Sequence, residues 1–95
     1  MIIITSEVII KEERWAQALE LAQRHVTASR EEEGCISHRY LLSPEKEHCI
    51  FFYEEWQDRA AIDYHFQQSY SKEVARNFKL WAANKLKINF HTLVK

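Results

Sequence analysis

The segment His48-Cys49-Ile50-Phe51-Phe52-Tyr53-Glu54-Glu55-Trp56 decides the architecture. From Cys49 to Tyr53 every residue is apolar or aromatic. Successive residues of a strand point to opposite sides, so a strand here offers apolar groups to both faces of its sheet. Just before it, Pro44-Glu45-Lys46-Glu47 reads as a turn, and Cys35–Ser43 reads as the antiparallel partner strand. Gly34 stands where a preceding helix is expected to end in the left-handed conformation. Gly34 and Pro44 are the single glycine and the single proline among 95 residues, so the remaining joints must be short polar turns.

Working outward, Ile2–Ile10 is rich in β-branched residues and reads as a first strand. Lys11–Glu33 reads as a helix, with Glu12 and Glu13 in its first turn and Trp15, Leu19, Ala22, Val26 and Ser29 along one stripe. After Trp56, Asp58 is placed to cap a helix through Ala60, Ala61, Ile62, Tyr64, His65 and Phe66. Gln67–Ser71 interrupts that helix. Lys72–Lys85 continues it with Val74, Phe78, Leu80 and Trp81 inward, and Leu86–Val94 alternates as a last strand. The order βαββαβ predicts an α+β, ferredoxin-like domain over residues 1–95: a four-stranded antiparallel sheet with two helices on one face. Two helices cover one face only. The doubly apolar third strand therefore predicts a homodimer, packed sheet to sheet.

Composition removes several function classes. One glycine cannot build a phosphate loop or a dinucleotide fingerprint. A net charge of −1 gives no electrostatic footprint for nucleic acid or an anionic membrane. No apolar run is long enough to span a bilayer and no secretory signal is evident, so a cytoplasmic chain with reduced thiols is expected. If the hairpin turns around Glu45, Leu42 lies near Cys49 and Cys35 near Trp56. The two cysteines are then beyond disulfide reach.

Three stretches carry a resemblance: Glu33-Gly34-Cys35, then Phe52-Tyr53-Glu54-Glu55-Trp56-Gln57-Asp58-Arg59-Ala60-Ala61, then His65. Together they resemble the antibiotic biosynthesis monooxygenase family, with E-x-G-C closing helix one, Y-E-x-W closing strand three and a D-x-x-A-x-x-x-H helix start. The resemblance covers nearly the whole chain and implies a dimeric α+β barrel. The family it points to includes cofactor-free monooxygenases of quinols and polyketide phenols and an isomerase of a phosphorylated autoinducer. Two departures stand out. Where relatives carry Pro-His-Phe, this chain has Ser69-Tyr70-Ser71, so a second histidine is missing and Tyr70 is the residue in its place. No histidine lies between Phe66 and Phe90 to act as a haem ligand.

His65, in the position that the family pattern fills with histidine, is the candidate catalytic base; its structural alternative is a hydrogen bond between helix and sheet. Glu54 is the candidate orienting carboxylate, with His65 or Arg76 as partner, or else a structural ion pair. Trp56 and Phe52 share its face as candidate aromatic contacts for substrate, against an ordinary core role. Tyr40, His38 and Tyr53 are candidate donors to a substrate oxygen, or half-buried sheet residues of a dimer interface. The histidines show no usual ligand spacing, and His38 with His48 across the hairpin would lack a third ligand, so no metal is expected. Glu31-Glu32-Glu33 reads as a solvated charge run.

The resemblance implies oxidation of a small phenolic or quinol substrate by O2 without a cofactor. A non-oxidative isomerase or degradation enzyme acting on a small oxygenated metabolite, and a ligand-binding dimer without a reaction, stay open beside it.

Overall fold

A computed structural model describes residues 1–93. The first strand, β1 (Ile2–Ile9), leads through a single 3-10 turn (Glu12–Arg14) into α1 (Trp15–Arg30). The hairpin β2 (Cys35–Leu42) and β3 (Cys49–Trp56) follows, then α2 (Arg59–Gln67), α3 (Ser69–Trp81) and β4 (Lys87–Thr92). The four strands lie in the order β2-β3-β1-β4, every neighbouring pair antiparallel. The predicted α+β, ferredoxin-like fold is the observed one, with the second helical segment divided in two. Gln68, extended at φ −71° and ψ 145°, makes that division. Val94, placed in the last strand by its alternation, lies outside the described residues.

One face of the sheet carries the helices. Val8, Ile10, Ala18, Leu21, Ala22, Val26, Ile50, Phe52 and Phe78 form the main core there, and Ile4, Trp56 and Ile62 form a smaller one near the other end of β3. Even-numbered residues of β3 point inward and Phe51, Tyr53 and Glu55 point outward, where no helix covers them. At the start of α2, Asp58 Oδ1 accepts a hydrogen bond from the Ala61 amide at 2.9 Å, closing the first turn. No helix of the described residues is long and apolar enough to cross a membrane.

Four local expectations change. The expected helix 11–33 is shorter at both ends, because Glu12–Arg14 winds as 3-10 and Glu31–Gly34 forms a turn. Gly34 has no positive φ. It is needed for space: a Cβ there would stand 2.3 Å from the Cβ of Ala61, so only glycine lets this turn pass under α2. The last strand is exposed at every position rather than half-buried, with only Phe66 and Arg59 of α2 reaching Phe90 on it. Finally, Leu42 pairs with Ile50, not with Cys49, while Cys35 does pair with Trp56. A bulge between Cys35 and Ser37 absorbs the extra residue. It sets His38 opposite Glu54 and Tyr40 opposite Phe52, all facing the helices.

Candidate active site

The site is a polar layer between the two cores, built where β2, β3, α1 and the α2–α3 junction converge. β3 supplies Glu54 between Phe52 and Trp56, and β2 supplies His38 directly opposite it. α1 supplies His25, on the inward stripe that runs Ala18, Leu21, Ala22, His25, Val26, Ser29. α2 supplies His65 in its last turn. The three imidazole rings form a triangle, with centroids 5.1 Å (His25–His38), 5.3 Å (His25–His65) and 5.6 Å (His38–His65) apart. All three are buried.

His65 is held from two sides. Its ring stacks on Trp56, centroids 4.5 Å apart. Its Nδ1 lies 2.7 Å from Glu32 Oε2, and the Tyr70 hydroxyl donates to the same oxygen. A carboxylate can only accept, so this contact puts the proton of neutral His65 on Nδ1 and leaves a lone pair on Nε2. Nε2 faces Glu54 Oε1 at 4.0 Å, and Ser71 Oγ stands 3.4 Å from it. Burial lowers the pKa of His65, and the hydrogen bond to Glu32 works against that shift. Glu54 receives a hydrogen bond from Trp56 Nε1 at 2.9 Å, and its Oε1 lies 3.4 Å from His38 Nε2 without hydrogen-bond alignment. Burial pushes its carboxyl up to about 7 even so. Burial also takes His25 down to about 4, helped by nearby His65, and takes His38 further down, helped by His25, His65 and Arg30, so both rings are neutral at pH 7.

The layer opens onto a cavity of about 110 Å³. Its polar end carries His25, Glu54, His65, Ser6 and Ser71; Phe52, Phe66, Phe78 and Ile88 are the larger members of an otherwise apolar lining. Phe66 of α2 and Ile88 and the neighbouring Phe90 of β4 stay 43–49 % exposed at the rim. On the other side of the Glu32–Tyr70 contact is an open groove lined by both of those residues, Gly34, Gln57 and Tyr64. His65, Glu32 and Tyr70 therefore stand between this small cavity and the open groove.

Of the residues selected from sequence, Phe52, Glu54 and His65 line this cavity. His38 and Trp56 stand behind them, buried to 1 % and 0 % exposure, and neither lines the cavity. Tyr40 faces inward but is tied to Gln23 Oε1 at 3.2 Å, away from the cavity. Tyr53 is on the opposite face of the sheet, under Arg39 and 3.4 Å from Glu55. Arg76 points away on the exposed side of α3, and Glu54 is partnered by Trp56 instead. His48 sits at the hairpin with φ 56° and packs on Trp15, not on His38.

Two residues escaped the sequence reading. Glu32 is no part of a solvated run: its side chain is 5 % exposed. The turn after α1 folds it inward between Glu31 and Glu33, which stay exposed. A signal existed, since the E-x-G-C pattern falls on Glu32-Glu33-Gly34-Cys35. His25 extends the helical stripe of α1 by one position, and only its polarity hid it. The metal expectation changes with it: His25, His38 and His65 place ligand atoms within 4.8 Å of one another, a set that spacing along the chain could not reveal.

The sequence model of the antibiotic biosynthesis monooxygenase family matches residues 1–77, which is every element named above except β4 and the end of α3. The chain belongs to the antibiotic biosynthesis monooxygenase family. Over 72 residues, 76 % of the chain, it is 33 % identical to an uncharacterised protein of Synechocystis, and the aligned part spans about half (49 %) of that relative's length. The family fold is shared by a crystallised antibiotic biosynthesis monooxygenase (TM-score 0.92, 22 % identity, 100 % of both chains). It is shared too by a conserved protein of Methanosarcina mazei (0.88, 22 %, 95 % of this chain and 89 % of that one). A third structure, from Mycobacterium tuberculosis, superposes at 0.91 with 14 % identity over 99 % of this chain and 95 % of its own. At these identities the solved structures speak for the family fold.

Proposed function

We propose that the protein is a cofactor-independent monooxygenase of a small phenolic or quinol-type substrate, with His65 as its base. The observation that carries this is the Glu32–His65 pair: a buried carboxylate fixes the imidazole with its Nε2 lone pair on the other side of the ring, beside the Ser71 hydroxyl, in a residue that lines a small, largely apolar cavity. Family membership supports a monooxygenase reaction.

His65 Nε2 takes the phenolic proton. The electron-rich anion passes one electron to O2, the radical pair joins as a carbon-bound peroxide, and loss of water leaves a carbonyl. Substrate and O2 thus give quinone and water, with no other reductant. The imidazolium formed is stabilised by Glu32, and Tyr70 holds Glu32 in place from the groove. Protonated Glu54, favoured by its raised pKa, donates toward the developing oxyanion or peroxide. At about 110 Å³ the cavity is smaller than the roughly 150 Å³ void that admits a benzene ring, so it takes O2 and the reacting edge. The rest of the ring lies over Phe66 and Ile88 at the rim.

We further propose that two copies pack through the outer sheet face, where Ile3, Leu41, Phe51 and Tyr53 have no helix above them, and that the free thiols Cys35 and Cys49 fit the cytoplasm. Sedimentation at micromolar concentration tests the dimer, and a monomer there removes it. The catalytic reading is tested by O2 uptake with a dihydroxynaphthalene. Glu32→Gln is expected to lower kcat by about 10–100-fold with the fold intact, as loss of an orienting carboxylate does. Unchanged uptake in Glu32→Gln and His65→Ala would remove the pair from the mechanism.

A further inference from the structure

Three nitrogen atoms of the polar layer are buried without any hydrogen-bond partner among the described residues: Nδ1 of His25 and both Nδ1 and Nε2 of His38. Buried polar atoms are nearly always paired, and each exception calls for a bound species or a cost. These atoms are not scattered. His25, His38 and His65 each bring a ligand atom within 4.8 Å of the others. Glu54 Oε1 lies beside them, 3.4 Å from His38 Nε2 and 4.0 Å from His65 Nε2.

We propose that His25, His38, His65 and Glu54 form a binding site for a divalent first-row transition-metal ion. Bonds of about 2.0–2.1 Å to nitrogen or oxygen in a tetrahedron require ligand atoms roughly 3.3 Å apart. The Glu54–His38 spacing of 3.4 Å already meets that, and the three histidine ligand atoms, within 4.8 Å of one another, close in by side-chain rotation while Glu54 approaches from the side of His38 and His65. The outer contacts match at two of the three histidines, while the second nitrogen of His38 has no partner among the described residues. Metal-binding histidines usually give their second nitrogen to a carboxylate or the backbone. His65 Nδ1 is on Glu32, and His25 interacts with the backbone of Tyr70. Three imidazoles and one carboxylate favour zinc, iron, nickel or copper over magnesium or calcium. The site is separate from any surface histidine, since His91 is exposed on β4 and His48 is at the hairpin. A metal here uses the Nε2 lone pair of His65 that base catalysis needs, so an occupied site and that base exclude each other. The site itself does not depend on the monooxygenase reading.

The experiment is titration of chelator-treated protein with Co2+, followed by its visible ligand-field bands, with Zn2+ and Mg2+ as competitors. One Co2+ per chain is expected, displaced by Zn2+ and not by Mg2+. His25→Gln and His38→Gln should each weaken binding at least 100-fold, while His48→Gln and His91→Gln leave it unchanged. Circular dichroism checks that the variants fold. In the unaltered protein, paramagnetic shifts of the three buried imidazoles give the same answer without substitution. Absence of bands, or binding lost in His48→Gln or His91→Gln and kept in His25→Gln and His38→Gln, overturns the site.

Discussion

The two ends of one helix–sheet interface obey different rules. Toward the hairpin, Ile50 and Phe52 of β3 meet Val8, Ala22, Val26 and Phe78 in an apolar cluster with no polar atom to satisfy. Two residues further along the same strand, Glu54 meets His25, His38 and His65, and only beyond it does Trp56 return to apolar packing with Ile4 and Ile62. The first region stabilises by area removed from water. The second carries four buried titratable side chains and three unpartnered nitrogens, which cost stability. A chain of this size keeps such a layer only for what it does, so stability and function should separate between the two regions.

The largest effect tests that separation from the functional side. His65→Ala should lower kcat/KM for O2 uptake by about 10²–10⁴-fold, the usual contribution of a positioned base. Thermal unfolding should change far less than activity does. Ile50→Ala is the counterpart in the apolar region, at a residue with no exposure. It should cost about 2–5 kcal/mol in urea unfolding, with kcat per folded molecule nearly unchanged. If the two variants lose both properties alike, the two regions are one. His38→Leu should then move stability in the opposite direction. Removing a ring with two unpartnered nitrogens should stabilise the metal-free protein by about 1–3 kcal/mol, the scale of an unsatisfied buried group.

The smallest effect lies in pH dependence, measured on chelator-treated protein. His25 has a folded pKa near 4 against an ordinary 6.5, so its contribution is fully present above pH 6.5 and is lost as pH falls through about 4. Glu54, raised from 4.5 to about 7, contributes fully below pH 4.5 and loses that as pH rises through about 7. Between pH 4.5 and 6.5 the two slopes oppose each other. Glu54→Gln removes the second, so the acid loss of stability should steepen by up to about 1.4 kcal/mol per pH unit, one proton's worth. An unchanged slope would show that Glu54 titrates normally and that the layer is wet.

Whatever depends on neighbours along the chain was legible in the order of the amino acids. Strand alternation, the helical stripe of α1, the Asp58 cap, the break before Ser69 and hence the βαββαβ order are local properties, because periodicity and capping act within a few residues. His65 and Glu54 were visible because one falls on a recognisable helix pattern and the other is a carboxylate on an apolar strand face. Tertiary structure alone decided which groups meet. One bulged residue at Cys35–Ser37 turned His38 toward Glu54. A glycine tight against Ala61 let the turn after α1 fold under α2 and carry Glu32 to His65, and the packing of α1 brought His25 from forty residues away along the chain. Contacts between distant segments depend on register and on the fit of one element against another. A slip of one residue exchanges faces, and no local pattern records that choice.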